Sequence, residues 1–313
     1  MIWGGNFTAM RYLLDRLAPL DVVFLRAAGA AGFFALALLL TGRPLLAMPR
    51  HDVVRLVTVG VIGVTVLNLA IVYGQSRLPA ALASLIITSN PIHTAIISRV
   101  LLGEPLTRRK LGGIALAFLG FLIVLLFGSG ESAALSTKEL AGVGILAIAP
   151  FAWAFYTVLS KPLLRSYPPL HVAAYGAIVG AAAFLPLPLV RDGMVGRIGD
   201  LDGRGWAAAL FATLLSFVLA YVLWYRGLRV LTPSQTAVYA YLVPVFGLLA
   251  AWLVLDEQPT PFLLVGGATI LIGVILTNSA PAGQAGAEAA AAERRPGAEP
   301  VGPAVPVARG GRR

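Results

Sequence analysis

A few polar side chains sit far inside runs of apolar residues, and chemistry at such depth is confined to them. His93 lies about ten residues from the end of its run, hence ~15 Å deep at 1.5 Å per residue. Histidine ordinarily titrates near neutrality, so this one has two readings. It carries a coupling proton, or it is a neutral side chain hydrogen-bonded to a neighbouring helix. Asn90 precedes it by three residues and so falls on roughly the same helix face. Tyr239 and Tyr241 occupy the matching stretch of the second half, while Asn6, Trp153 and Tyr156 lie on two further apolar runs. Together these seven form a candidate substrate cavity of aromatic and amide groups, because intramembrane polar groups are costly and functional by default.

Enzyme chemistry has little to work with. The sequence holds no G-x-x-x-x-G-K-[ST], and none of Lys110, Lys138 and Lys161 follows a glycine, so ATP hydrolysis is excluded. No H-E-x-x-H occurs, and His51, His93 and His171 are too scattered for a metal site. Paired carboxylates at membrane depth are missing, and there are no cysteines. The reading is a protein that is not an enzyme and needs neither cofactor nor metal.

The elements that must position those side chains follow from composition. Of 313 residues, 58% are hydrophobic and only 12% charged, with a mean hydropathy of +0.84. Soluble domains carry about 25% charged residues, so a bilayer is the natural solvent for this chain. The net charge of +10 reflects Arg and Lys at helix ends, not a nucleic-acid surface.

Crossing a ~30 Å hydrocarbon core takes about 20 apolar residues. Such runs occur near 22–42, 56–75, 78–98, 111–130, 140–160, 170–190, 205–225, 230–255 and 260–278. A tenth, "MIWGGNFTAM", meets Arg11 too early to span alone. The expectation is that an upstream apolar stretch of about ten residues completes it; a genuine half-helix is the alternative. With the N-terminus inside, sixteen Lys and Arg fall on the cytoplasmic side and eight on the other, placing both termini in the cytoplasm. From 279 to 313 an Ala-Gly-Pro text with no aromatic residue predicts a disordered cytoplasmic tail.

The chain also repeats itself. At an offset of 153, Pro91 meets Pro244, Glu104 meets Glu257, Thr107 meets Thr260, and Gly113 and Gly120 meet Gly266 and Gly273. At an offset of 150, Trp3 meets Trp153 and Pro19-Leu20 meets Pro169-Leu170. Two units result, 1–128 and 139–278, each of five helices. An odd number inverts the second copy in the membrane, the arrangement of alternating-access carriers. Pro91 and Pro244 are expected to kink their helices, Glu104 to cap with Thr107 nearby, and Gly112, Gly113, Gly120, Gly266, Gly267 and Gly273 to pack helices closely. Trp224 and Tyr225 fit an interfacial aromatic belt as well as a cavity.

"WGGNFTA", "PLDVVFLRAA" and "LPAALASLIITSNPIHTAIISRVLLGEPLTRRKLGGIALAFLGFLIVLL" resemble an EamA-type member of the drug/metabolite transporter superfamily. "FAWAFYTVLSKPL", "YVLWYRGLRVLTPSQTAVYAYLVPVFGLLAAWLVLDEQPT" and "LVGGATILIGVIL" carry the likeness through the second half. The resemblance implies an all-α membrane protein of the cell membrane, with ten transmembrane helices in two inverted five-helix repeats. It also implies export or exchange of small metabolites, amino acids or drug-like compounds. Arg26 resembles the family's arginine early in the second helix, where it binds anionic groups or snorkels to headgroups. The expected partners are a small-molecule substrate, the lipid bilayer and, for a coupled carrier, protons. Pairing into a homodimer is left open, and facilitated diffusion stands level with proton antiport. A channel or a non-transporting scaffold is the rival class.

Overall fold

The computed structural model describes residues 2–41, 47–78, 83, 86–87, 89–127, 137–243 and 261–279. Among them every regular element is helical. In chain order these are α1 (Ile2–Leu14), α2 (Pro19–Leu40), α3 (Arg50–Gln75), α4 (Asn90–Leu102) and α5 (Arg108–Phe127). There follow α6 (Leu140–Ser166), α7 (Pro169–Val190), the short α8 (Met194–Gly199), α9 (Gly203–Val230), α10 (Pro233–Ala237, continued as a 3-10 turn to Tyr241) and α11 (Pro261–Asn278). Five of these, α2, α3, α6, α7 and α9, are long and apolar enough to cross a membrane. The runs expected near 78–98 and 230–255 lie partly outside the described residues, as do Pro244, Leu255, Glu257, Thr260 and the tail from 280 on.

Local sequence sets the boundaries. Pro19 and Pro169 each open a helix after an extended residue, where the missing N–H is no loss. Asp202 caps α9 by accepting from the Gly205 N–H at 2.6 Å, and Thr232 with Gln235 forms a capping box before Pro233. Gly103 ends α4 with φ of 67°, and the Glu104 N–H returns to the Ser98 carbonyl at 3.3 Å. Thr107 caps the next helix as expected, accepting from the Lys110 N–H at 3.2 Å. Pro91 stands in the first turn of α4, and the Ile87 carbonyl four residues before it accepts from the Asn90 side chain at 3.2 Å; the kink expected there falls on a run that lies partly outside the described residues.

Two helices carry a widened π turn, α3 over Val61–Val66 and α9 over Phe211–Leu219. An offset of 150 superimposes the starts of these segments. Such turns leave carbonyls misaligned with the ladder, and side chains collect them. Asn68 donates to the Val64 carbonyl at 2.7 Å, and the Trp3 indole donates to the Ser216 carbonyl at 3.0 Å.

Close packing depends on glycine at two crossings. A Cβ on Gly60 of α3 would stand 2.7 Å from the Gly176 carbonyl of α7, and one on Gly180 would collide with the Gly60 carbonyl. Where α5 meets α11, a Cβ on Gly113 would lie 2.8 Å from the Gly273 carbonyl and one on Gly120 2.7 Å from the Gly266 carbonyl. The early glycine of α5 thus meets the late glycine of α11 and the reverse, so the two helices run antiparallel. Gly112 departs from the expected role, since no atom lies within 4 Å of its would-be Cβ.

Candidate functional site

Seven helices converge on a buried cavity of about 90 Å³. Helix α1 contributes Trp3, Asn6 and Phe7, α2 contributes Arg26, and α3 contributes Ile71 and Gln75. Ile87 and Asn90 close it from the α4 side, Trp153 from α6, Ser216 and Tyr221 from α9, and Ala240 and Val243 from the α10 side. Both halves of the sequence therefore line one space.

Its wall is aromatic. Trp3 and Trp153, the pair aligned by the repeat, meet edge to face with ring centres 5.1 Å apart. Tyr221 meets Trp153 at 5.4 Å, and Trp224, which lines an adjoining groove, backs the pair at 5.4 Å from Trp3 and 5.1 Å from Trp153. Trp224 and Tyr225 are buried, which overturns the interfacial-belt reading. The reason is length: α9 continues to Val230, so neither ring is at its end.

Polar atoms punctuate that wall. The Oδ1 atoms of Asn6 and Asn90, Oε1 of Gln75, and Nε and Nη1 of Arg26 are buried without a hydrogen-bond partner among the described residues. Buried polar groups normally find partners, and each one left alone costs about 1–3 kcal/mol. Arg26 is 4% exposed, so it does not snorkel to headgroups.

Of the seven residues read from sequence, Asn6, Asn90 and Trp153 line this cavity. Tyr156 stands behind it, buried, stacked on Tyr225 at 5.3 Å and seated where Gly63 leaves no side chain. Tyr239 is elsewhere, on a lateral groove that shares Trp3 and Val243 with the cavity. Tyr241 packs with Phe118 and Phe121 at 6.2 and 6.0 Å in a second apolar cluster. His93 faces Phe151, its ring centre 4.1 Å away, and its Nδ1 hydrogen-bonds the Ser89 carbonyl of its own helix at 3.0 Å. A separation of three residues leaves two side chains about 60° apart around a helix, enough to send Asn90 inward and His93 sideways. Gln75 and Ser216 gave no signal, because one ends an apolar run and the other acts through its backbone carbonyl.

Beyond the cavity, the buried Glu104 holds one end of the bundle. Its carboxylate accepts from Ser98 Oγ at 2.6 Å, from Lys110 Nζ at 3.0 Å, from the Ser234 N–H at 3.3 Å and from the Ser234 hydroxyl. Burial raises its pKa, but Ser234, Ser98, Thr232 and the Lys110 ammonium outweigh that and hold it below the usual glutamate value. The expected local cap is thus a tie between α4 and α10 across 130 positions of sequence. Beside it Lys161 donates to the carbonyls of Leu228 at 2.7 Å and Leu231 at 2.8 Å, closing the end of α9. At the opposite end of α9, Arg197 donates to buried Asp21 at 2.8 Å and Tyr12 to Asp202 at 3.0 Å.

The sequence matches the EamA-like transporter family twice, over residues 1–126 and again over 140–279. The chain belongs to that family. As an EamA-like protein it is a multi-pass membrane transporter. It is similar to an uncharacterised transporter of Archaeoglobus fulgidus, 30% identical over 89% of this chain and 94% of the relative. It also resembles a probable terminal-alkyne amino-acid exporter of Streptantibioticus cattleyicolor, at 28% identity over 88% and 89%. An S-adenosylmethionine/S-adenosylhomocysteine transporter of Chlamydia trachomatis is 26% identical over 87% of this chain and 84% of its own.

Proposed function

We propose that this EamA-like transporter moves a small metabolite out of the cell, or exchanges two, by alternating access around the Trp3–Trp153 cavity. The observation that carries this is the cavity's lining, drawn from both halves and dotted with polar atoms that have no partner among the described residues. Polar groups left unsatisfied in an aromatic pocket are what a bound molecule can satisfy. On this reading Asn6, Asn90 and Trp153 contact the substrate, joined by Trp3, Gln75 and Tyr221, with Tyr156 holding the Trp153 ring in place. Tyr239 borders the lateral groove that opens beside them. No step is assigned to enzymatic chemistry, and export follows the exporter named among the relatives.

The same reading keeps ten membrane helices as two inverted repeats, 1–128 and 139–278. Three observations support it: two family matches over those halves, π turns starting 150 positions apart, and antiparallel α5 and α11 joined through glycines that the repeat aligns. An inverted pair can interchange conformations, which alternately opens the two ends.

Purified protein in liposomes loaded with an unlabelled amino acid or metabolite should accumulate the labelled compound by counterflow. Flux that saturates and needs a trans substrate establishes the carrier. Linear, non-exchanging flux points to a pore instead, and adding a pH gradient decides between proton coupling and facilitated diffusion.

A further inference from the structure

Arg26 is unlike the other basic groups described above. Lys161 donates to helix-end carbonyls, and the partly exposed Arg197 pairs with Asp21. Arg26 lines the cavity at 4% exposure. Among the described residues no carboxylate lies within ion-pair distance of it. Its Nε and Nη1 have no acceptor among the described residues either. The face of Phe217, 5.8 Å from the guanidinium carbon, offers a weak cation–π contact. A guanidinium stays charged in any protein setting, and an unpaired charge away from water is expensive.

Resting on the transport reading above, we propose that Arg26 recognises a carboxylate on the transported molecule and makes this carrier selective for small organic acids and zwitterions. A guanidinium edge presents parallel N–H donors that match the two oxygens of a carboxylate. The free amide oxygens of Asn6, Asn90 and Gln75 line the same cavity and accept from donors elsewhere on the same molecule. The aromatic wall takes its apolar part. A cation or a neutral amide leaves Arg26 unpaired and is rejected for that reason.

The test is counterflow in liposomes with a panel of amino acids and simple organic acids, each paired with its carboxamide, for wild type, R26K and R26Q. Each variant is first checked for a monodisperse elution profile. Wild type is expected to prefer the acids by at least about tenfold, since a site built to hydrogen-bond a group discriminates against the analogue lacking it. R26Q is expected to bring each pair to within about threefold, with R26K retaining part of the preference because its charge remains. Equal exchange of acids and amides by wild type overturns the assignment. So does a full acid preference surviving in R26Q. Exchange of cations or neutral compounds alone removes the carboxylate assignment while leaving the carrier intact. Failure of any compound to exchange through folded protein removes the carrier itself, and this assignment with it.

Discussion

At the scale of single residues, depth along a run predicted polarity well and direction poorly. Asn6, Asn90 and Trp153 were legible as cavity residues because an amide or indole inside an apolar run has few other uses. His93 was equally deep, yet it turns to Phe151 and to its own helix's Ser89 carbonyl. His93→Gln is therefore expected to leave counterflow within about twofold of wild type, since His93 is not among the residues that line the cavity. Abolished flux would instead put this histidine on the transport path. Glu104→Gln is expected to lower stability by about 2–3 kcal/mol, the worth of the charge-assisted hydrogen bonds it loses; thermal unfolding in detergent measures it. The sign with pH follows from a carboxyl held below its reference value of 4.5. Its stabilisation is fully present above that value and is lost as pH falls through the lower, folded-state pKa. An unfolding midpoint that rises on acidification below 4.5 in wild type, relative to Glu104→Gln, would contradict this.

At the scale of elements, sequence placed the apolar runs and the Thr107 cap, while the crossings came from the fold. Proline at the first turn, Asp202 and Thr232 as caps and Gly103 as a terminator also act through neighbours in sequence, but only the structure singled them out. The glycines could be read only as a set. Gly120→Ala drives a Cβ to 2.7 Å from the Gly266 carbonyl, whereas Gly112→Ala meets nothing within 4 Å. The first is expected to cost about 1–3 kcal/mol by overpacking. The second is expected to be neutral or slightly stabilising, because alanine is the better helix former. Equal unfolding midpoints for the two would show that the α5–α11 contact is looser than drawn.

At the scale of the whole molecule, α9 separates the Glu104–Lys161 cluster from the Asp21–Arg197 cluster by its 28 residues, about 42 Å of helix. The first lies among loops counted as cytoplasmic by charge, the second among those counted outside. The chain lacks cysteine, so single cysteines report orientation cleanly. Asp200→Cys is expected to react with an impermeant maleimide on intact cells, and Arg229→Cys only after permeabilisation. The reverse pattern would invert the orientation, and with it the face on which the Glu104 tie sits.

What the sequence by itself determined was the solvent and the unit of construction. Too few charges to face water impose a bilayer, and matching Trp, Pro and Gly at fixed offsets carry the proposal of a duplicated unit, because both properties are linear in the chain. What only the tertiary structure decided was which polar groups share a space. Trp3 touches Trp153 across 150 positions, Ser216 offers a backbone carbonyl through a widened turn, and Arg26 lines the cavity with no ion-pair partner among the described residues. A rotation of 60° about a helix axis separates a cavity residue from a packed one, and sequence spacing does not fix that angle against neighbours it cannot name.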